Sequence, residues 1–270
     1  MRKDEIKTIW QIPKYLPYVQ PSLTDEILIV AEKKIGYKLP KEYIGLLKIQ
    51  NGGYIRFSLK KTPNDQIYGI GPYFPSLTNF DWTDYEDAVS FTLNGLVPFD
   101  GDGHWFLCFD YRQNNTEPEI TFIDTECDNE ERVAQNFKDY LSLLELKAEN
   151  KFVIKTNSTI EEVIISISRI LRIEFEDPEY FNHGYASYRS KINDCWIWIS
   201  PNKAPSGFIR EMDKRYNELK SQTVTTSIRF PEIPENYLFI SVSDDTVRQV
   251  LFEKLRNNGI EIVEFKTLDE

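Results

Sequence analysis

The chain has 270 residues, 41% of them hydrophobic and 14% aromatic, so it is long enough to bury the core of one large or two ordinary domains. Its formal net charge of −11 disfavours binding to nucleic acid and to anionic membranes, because both attract basic surfaces. No segment approaches the roughly 20 consecutive apolar residues that span a bilayer, and no apolar run follows the N-terminal residues, so we expect a protein that is neither membrane-spanning nor exported.

Two short helices are predicted early in the chain. The first begins near Ser22-Leu23-Thr24-Asp25, which resembles a capping box, and ends at Gly36. Its apolar residues at helical spacing are Ile27, Val30, Ala31 and Ile35. The second begins after Pro40 and ends at Asn51-Gly52-Gly53, because proline is tolerated in a first helical turn and glycine accepts the conformation that closes a helix. Its buried face is predicted to contain Tyr43, Leu46 and Leu47.

Strands and one more helix are predicted over the rest of the first half. The strand-like segments are 54–59, 67–70, 96–99, 104–110 and 119–124. The loop 71–80 is expected at the surface, and the turn-rich sequences between the later strands predict an antiparallel meander. A helix that packs on this sheet is predicted from the spacing of Val133, Phe137, Tyr140, Leu141 and Leu144.

The order of these segments resembles the SUKH superfamily, relatives of the yeast Smi/Knr cell-wall regulator, over residues about 20–145. The resemblance is carried by Gly36-Tyr37-Lys38-Leu39-Pro40-Lys41-Glu42-Tyr43, Asn51-Gly52-Gly53, Leu96-Val97-Pro98-Phe99-Asp100-Gly101-Asp102-Gly103 and Asn136-Phe137-Lys138-Asp139-Tyr140-Leu141. It implies a protein-binding module without catalytic activity. Many bacterial members of the superfamily are thought to be immunity proteins that neutralise a toxin, often a nuclease.

The polar segment 147–151 is predicted to separate two domains, 1–148 and 152–270. The second resembles no family that we recognise. It is predicted to begin with a capping box at 158–161 and a helix whose stripe is Ile160, Val163, Ile164, Ile167 and Leu171. Strands are predicted at 173–176, 185–192 and 196–200, with a hairpin turn at 193–194 and a helix at 206–219. A strand at 237–242, a helix at 244–257 and a strand at 260–265 then predict a right-handed parallel connection. The predicted fold class is α+β, with two domains that each have a mainly antiparallel sheet and helices packed on it.

The segment Asp100-Gly101-Asp102-Gly103-His104 is the first candidate for chemistry, since two carboxylates and an imidazole can hold a divalent cation. An EF-hand loop would need more oxygen ligands and a glutamate at its twelfth position, where this chain has Tyr111. A zinc site would need more His or Cys nearby. The pattern favours a solvated hairpin, so we predict no metal and no cofactor.

A thiol triad of His104, Cys108 and Asp110 is disfavoured by distance. Residues i and i+4 of a strand lie about 13 Å apart at ~3.3 Å per residue, whereas a nucleophile and its base must lie within ~3 Å. Cys108 is therefore predicted to be a buried apolar residue. The odd set of cysteines, which also includes Cys127 and Cys195, has no Cys-x-x-Cys spacing and favours a reducing compartment, so we expect a cytoplasmic protein.

Enzyme motifs are missing from the sequence. His183 lies in an aromatic, turn-like loop and has no matching nucleophile or second base at a diagnostic spacing. The chain lacks Gly-x-Ser-x-Gly, His-Glu-x-x-His, a Walker phosphate loop and a Rossmann fingerprint. We predict that the protein is not an enzyme, and keep as an alternative a hydrolase that uses His183 or the carboxylates of Asp100 and Asp102.

Acidic residues are concentrated between Asp81 and Glu131, where Arg112 is the only lysine or arginine. The aromatic residues Tyr73, Phe74, Phe80, Trp82 and Tyr85 are interleaved with the first of these carboxylates, and whether they lie at the surface or in the core stays open. The predicted partner-binding residues are Asp81, Trp82, Asp84, Glu86, Asp87, Asp100 and Asp102, with Trp82 as a possible anchor.

Charge and resemblance together predict an immunity protein that binds a basic toxin domain, such as a nuclease, in a stoichiometric complex. A nuclease presents a basic groove to phosphates, so an inhibitor rich in carboxylates associates rapidly and occupies the same surface. The alternative is a regulatory scaffold in cell-wall synthesis or signalling, as the yeast relative suggests. In either case the partner is a protein, and neither nucleic acid nor a membrane is expected to bind.

Overall fold

The computed structural model describes residues 8–147, 152–180, 184–192 and 194–265. The chain divides into two compact units, Met1–Lys147 and Ala148–Glu270. Helices and mainly antiparallel strands occur in both units, so the predicted α+β class is confirmed. That each unit is an independent domain stays a prediction. None of the described helices is both long enough and apolar enough to cross a bilayer.

The N-terminal unit begins, after the two-residue strand β1 (Lys14–Tyr15), with the two predicted helices, α1 (Asp25–Ile35) and α2 (Lys41–Ile49). The N-cap of α1 is Thr24, two residues after the start of the predicted capping box, and its side chain accepts a hydrogen bond from the Ile27 N–H. Gly36, with φ of 87°, ends the helix as predicted. The predicted face of α2 is confirmed, since Tyr43, Leu46 and Leu47 are buried.

One residue of the α1 stripe was placed wrongly. Val30 is 67% exposed, whereas its neighbour Ala31 is buried. Successive helical residues point about 100° apart, so a helix that turns Ala31 towards the core turns Val30 towards solvent. The spacing fitted several overlapping stripes, and only the packing of α1 selects one of them.

The end of α2 is joined to the chain near residue 70 by the side chain of Asn51. Its Nδ2 atom donates to the Pro21 carbonyl at 2.6 Å and to the Ile70 carbonyl at 2.8 Å, and its Oδ1 atom accepts from the Ile70 N–H at 2.8 Å. Next to it, a Cβ atom on Gly52 would lie 2.5 Å from the Gly69 nitrogen. Glycine is therefore required where the two backbones meet. The Asn-Gly-Gly sequence does more than end a helix, because it joins two distant segments.

A four-stranded antiparallel meander forms the main sheet of this unit, and its first three strands were predicted. Its strands, in spatial order, are β5 (Leu96–Gly101), β6 (Trp105–Asp110), β7 (Glu119–Asp124) and β8 (Asn129–Ala134). Helix α3 (Phe137–Leu143) follows, and its residues Phe137 and Tyr140 pack against Phe99 in the core. The strand β8 was not predicted, and Val133 lies on it rather than on the helix.

Two short pairings complete the description of this unit's strands. The predicted strand 54–59 is divided into β2 (Gly53–Tyr54) and β3 (Phe57–Ser58). Strand β2 pairs with β4 (Gln66–Ile67), and β3 pairs with β9 (Glu145–Leu146). Because each of these strands is two residues long, they position loops rather than form a sheet of their own.

The C-terminal unit has a five-stranded antiparallel sheet with spatial order β11-β12-β16-β10-β17. Its elements in chain order are β10 (Phe152–Lys155), α4 (Ile160–Leu171), β11 (Tyr188–Ile192), β12 (Cys195–Pro201), β13 (Lys203–Pro205), β14 (Gly207–Phe208), α5 (Tyr216–Leu219), β15 (Thr226–Ile228), β16 (Leu238–Val242), α6 (Asp245–Asn257) and β17 (Glu261–Glu264). Strands β10, β12, β16 and β17 with helices α4 and α6 form the β-α-β-β-α-β arrangement of ferredoxin-like folds, and β11 extends one edge.

The end signals of the C-terminal helices act largely as predicted. Thr159 and Glu162 form a capping box on α4, one residue later than expected, and α6 begins after Asp244, whose side chain accepts from the Val247 N–H. The predicted stripe of α4 packs on the sheet. Gly259, with φ of 86°, follows α6.

Three predictions for this unit are wrong. No strand occurs at 173–176, and only the end of the segment 206–219 is helical, because Gly207 and Phe208 form strand β14 instead. Strands β16 and β17 run in the same direction but do not pair, since β10 lies between them and pairs antiparallel with both. One residue of the predicted turn, Asn193, lies outside the described residues, and its neighbour Asp194 has φ of 68°.

We expect Asn51→Ala to reduce the free energy of unfolding of the N-terminal unit by about 3 kcal/mol, because it leaves buried backbone groups without partners. Urea unfolding of the full chain, followed by the NMR methyl signals of Leu46, measures the change. The control is Asn79→Ala at an exposed position, which should cost less than about 0.5 kcal/mol. Equal effects of the two substitutions would show that the Asn51 hydrogen bonds contribute no more to the free energy of unfolding than an exposed side chain does.

Candidate functional site

Acidic residues gather at one end of the four-stranded sheet. The β5–β6 turn and the β7–β8 turn lie side by side there, since Trp105 pairs with Asp124 and the Thr125 N–H donates to the His104 carbonyl at 2.8 Å. The loop 81–90 joins them, because the Ser90 N–H donates to Asp128 Oδ1 at 2.6 Å. Residues that are far apart in sequence therefore form one acidic end of the sheet.

The loop 81–90 and the β5–β6 turn carry five of the seven predicted contact residues at the surface. These are Asp81, Asp84, Glu86, Asp87 and Asp102, which are all exposed. None of the five forms an ion pair with another described residue. We name these five residues the acidic face. Carboxylates without a cationic partner keep their attraction for an external cation.

Two residues of the acidic face also hold the backbone of their own turns. Asp81 Oδ1 accepts hydrogen bonds from the N–H and the hydroxyl of Thr83, which lower the pKa of this carboxyl. Asp102 Oδ1 accepts from the N–H groups of His104 and Trp105 at 2.9 and 3.2 Å. Asp84, Glu86 and Asp87 have no such hydrogen bond within the described part of the chain, which makes them the better positions for substitution.

Asp100 is fully buried and does not belong to the acidic face, although the sequence analysis grouped it with Asp102. Asp100 lies inside strand β5, where every residue is buried, whereas Asp102 lies beyond the end of this strand, in the exposed turn. Its carboxylate accepts hydrogen bonds from the N–H groups of Asp65, Gln66 and Gly101 at 3.0, 3.4 and 2.8 Å. Burial raises the pKa of this carboxyl to about 8, although the hydrogen bonds lower it. Asp100 organises the backbone and cannot contact a partner.

Trp82 is half-buried, and the structure favours a packing role over the predicted anchor. Its indole N–H donates to the Leu96 carbonyl at 2.9 Å. Its ring packs edge-on against Phe80, Tyr85 and Phe106, with ring centroids 4.5–5.7 Å apart. Trp82 thus fixes the acidic loop on the sheet, and its polar group is already satisfied.

A cleft of about 680 Å³ opens beside the acidic face. Aromatic rings line much of it: Tyr18, Tyr54, Tyr68, Phe74, Phe80, Tyr85, Trp105 and Phe106. Asp65, Gln66, Asp102 and Lys147 contribute polar groups to the same lining. We name this space the aromatic cleft. Aromatic surface next to charged residues is typical of protein interfaces.

Phe74 is the most exposed of the large aromatic residues in the cleft, at 79%. The loop that carries it is held by Gln20, whose Nε2 atom donates to the carbonyls of Tyr73 and Pro75 and whose Oε1 atom accepts from the Tyr73 N–H. The loop 71–80 was predicted to lie at the surface, but Pro75, Ser76 and Leu77 are buried. A rigid loop therefore presents one exposed ring.

The charges of the acidic face act on groups that line the aromatic cleft. Burial first, and then the charges of Asp84 and Asp102, raise the pKa of the Tyr85 hydroxyl, which lines the cleft. Asp65 forms an ion pair with Lys147, whose ammonium lies 3.0 Å from Asp65 Oδ1. The cleft therefore experiences negative charge from several carboxylates, of which one is paired.

Other carboxylates of the same segment are neutralised within the chain. The guanidinium of Arg112 binds Asp110 and Glu130, with its Nη2 atom 2.7 Å from both. The Thr121 hydroxyl also donates to Asp110. The single basic residue that lies between Asp81 and Glu131 in the sequence thus stabilises the sheet and leaves the acidic face unpaired.

Catalytic groups do not assemble in the described residues. Cys108 is fully buried among apolar side chains, as predicted, and its burial raises the pKa of the thiol well above its ordinary value. The Nδ1 atom of His104 lies 2.7 Å from Glu126 Oε1 at an exposed position. Over the described ranges, no three His, Cys, Asp or Glu side chains are placed to hold a metal ion. His183 lies outside these ranges.

The family comparison identifies the unit that carries the cleft. Residues 22–143 match the model of the SMI1 / KNR4 family (SUKH-1). The N-terminal unit belongs to the SUKH superfamily. No curated protein matches the chain, and the C-terminal unit is not assigned to a family. The acidic face and most of the aromatic cleft lie within the matched part of the SUKH domain.

Several cleft residues of the SUKH domain were not predicted, notably Tyr18, Tyr54, Asp65, Gln66 and Trp105. Their positions in sequence are scattered, and the strand-like alternation near Tyr54 suggested packing rather than a site. The only available signal was the abundance of aromatic residues before and after the acidic segment. The pairing of β2 with β4 places Tyr54 opposite Gln66, and the Asp100 carboxyl holds the backbone of Asp65 next to them.

We expect Asp100 to titrate with a pKa of about 8 in the folded protein. An aspartate in an unfolded chain has a pKa of about 3.9, so folding takes up a proton between these values; this group's contribution to stability is fully present below about pH 4 and is lost progressively as the pH rises to 8. The ¹³C shift of the Asp100 carboxyl, followed from pH 4 to 10, measures the midpoint. Its signal is identified by its absence in Asp100→Asn. A midpoint below 5 would show that the three N–H donors outweigh burial.

Proposed function

We propose that this protein is an immunity protein that neutralises a basic toxin domain, such as a nuclease, by stoichiometric binding. The observation that carries the proposal is the acidic face, five exposed and unpaired carboxylates gathered beside an aromatic cleft in a SUKH domain. A protein-binding role agrees with the family match. No catalytic step is included, since binding alone would block the toxin.

The physical argument starts from what a nuclease has to expose. Its groove must attract phosphates, so it carries a positive potential that the acidic face complements. Complementary fields raise the association rate, and a bound inhibitor that occupies the groove excludes the nucleic acid. The same negative charge disfavours a nucleic acid or an anionic membrane as the partner of this protein.

Affinity requires more than charge, because exposed ion pairs contribute little individually. Phe74 and the half-buried Tyr85 of the aromatic cleft offer apolar surface next to the acidic face. Aromatic residues surrounded by polar groups commonly supply most of the binding energy at protein interfaces. The proposed contact set is therefore Asp81, Asp84, Glu86, Asp87 and Asp102 with Phe74, in place of Trp82 and Asp100.

We also propose that the protein acts in the cytoplasm. Cys108, Cys127 and Cys195 are free cysteines, which agrees with a reducing compartment. An immunity protein protects the cell that makes it, so it must meet the toxin inside that cell.

We expect the double substitution Asp84→Lys and Asp87→Lys to lower the yield of the captured partner about tenfold when the tagged protein is drawn from an extract of its native cell. The matched control is Glu26→Lys with Glu117→Lys, which changes the net charge equally at exposed positions away from the acidic face. Equal loss in both variants would mean that only total charge matters. No loss in the first variant would place the interface elsewhere.

Salt should affect this association in a defined way. The screening length falls from about 10 Å at 0.1 M to about 3 Å at 1 M, so we expect the association rate with the captured partner to fall steadily over this range. The dissociation rate should change much less, because it depends on the contacts of the formed complex. An association rate that is independent of salt would contradict electrostatic steering by the acidic face.

A further inference from the structure

Two carboxylates lie in the lining of the aromatic cleft, and an ionised carboxylate only accepts hydrogen bonds. The carboxylates of Asp65 and Asp102 belong to its lining. The Oε1 atom of Gln66 has no hydrogen-bond partner within the described residues. Its orientation is fixed, because the Nε2 atom of the same amide donates to the Gly101 carbonyl at 3.0 Å. Asp65 and Asp102 are exposed, so an occupant that donates several hydrogen bonds and carries positive charge suits these two carboxylates.

The rings of the cleft suit a planar cation. Tyr18 and Tyr54 lie with ring centroids 5.1 Å apart, and Phe74 lies 6.4 Å from Tyr18 in an edge-on arrangement. The negative face of an aromatic ring attracts cations, and guanidinium groups stack on such rings more readily than ammonium groups do. Phe74 is exposed, so its ring is accessible to an external group.

The chain already places one basic side chain in this cleft. Lys147, the last described residue of the N-terminal unit, lies 3.0 Å from Asp65 through its ammonium group. Its side chain is 36% exposed, so the contact is open to exchange with solvent or with a competitor. Asp102 has no ion-pair partner among the described residues. Asp65 is thus paired with a cation of the chain itself, whereas Asp102 is not paired with a cation of the described residues.

We propose that the aromatic cleft binds an arginine side chain of the basic partner. The guanidinium group stacks on the rings of Tyr18, Tyr54 and Phe74, and its N–H groups donate to the carboxylates of Asp65 and Asp102. Arginine is favoured over lysine because its five donors are arranged in a plane, which suits acceptors spread around an aromatic lining. This proposal deepens the proposed function, on which it rests for the nature of the partner.

The probe that tests the cleft directly is N-acetyl-arginine methylamide, added to the full-length ¹⁵N-labelled protein. We expect chemical-shift changes at the side-chain amide of Gln66 and the indole N–H of Trp105. N-acetyl-citrulline methylamide has the same shape without the charge and should bind at least about fivefold more weakly. N-acetyl-lysine methylamide should lie between the two. Equal binding of the arginine and citrulline compounds, or shifts spread over other surfaces, would overturn the proposal.

Two substitutions should change the affinity for the arginine probe in opposite directions. Asp102→Asn keeps an oxygen for the hydrogen bonds of its turn but removes the charge, so it should weaken binding about fivefold. Lys147→Gln removes the internal competitor at Asp65 and should strengthen binding two- to threefold, about the value of one exposed ion pair. The control Lys138→Gln makes the same change in net charge at an exposed lysine outside the cleft. An equal effect of Lys138→Gln would reduce the Lys147 result to a general charge effect and contradict the proposal.

Failure of the cleft and failure of the proposed function give different results. If the arginine probe does not bind, but Asp84→Lys with Asp87→Lys still prevents partner capture, the cleft proposal alone is wrong. If the probe binds as described but the capture experiment finds no dependence on the acidic face, the proposed function is wrong and the cleft binds arginine in another context.

Discussion

The segment from Asp65 to Ile70 is fixed to the core of the SUKH domain at both ends, and the candidate site depends on this constraint. At one end the buried carboxyl of Asp100 binds two successive N–H groups, and at the other Asn51 binds both backbone groups of Ile70. Between them, the Tyr68 N–H donates to the Phe99 carbonyl. Each of these hydrogen bonds is buried or nearly so, where an unmade bond is costly. The segment therefore has one position, and with it the cleft residues that it carries.

Three groups of carboxylates in the SUKH domain differ in burial and pairing, which a count of charges does not show. Asp110 and Glu130 are neutralised by Arg112 and stabilise the sheet. Asp100 is buried, and its raised pKa makes it a neutral group over much of the ordinary pH range. The acidic face is exposed and unpaired. Of these three groups, the acidic face contributes most to the field that an external partner meets, so the proposed interface is placed there.

In the C-terminal unit, two strands that follow each other along the chain and run in the same direction are not neighbours in the sheet. Strands β16 and β17, with α6 between them, satisfy the sequence signals of a parallel connection, and they do run in the same direction. Strand β10 lies between them in space and makes both pairings antiparallel. On the helix-covered face, Ile197 and Ile240 are buried, whereas Trp196 and Trp198 on the other face of β12 are only half-buried. Strand β12 is therefore fully covered on one face only.

The sequence by itself determined the elements whose signals are local. The end of α1 at Gly36, the buried face of α2 and strands β5 to β7 follow from spacing, proline and glycine, because these act over one or two turns of chain. The SUKH family match confirms that the order of such signals was sufficient to recognise the N-terminal unit. The tertiary structure alone decided that Asp100 is buried while Asp102 is exposed, that Trp82 packs on Phe106, and that Asp65 and Gln66 line a cleft with Tyr18. These outcomes depend on hydrogen bonds and ring contacts between residues far apart in sequence, and no local pattern encodes which distant backbone group a side chain will meet.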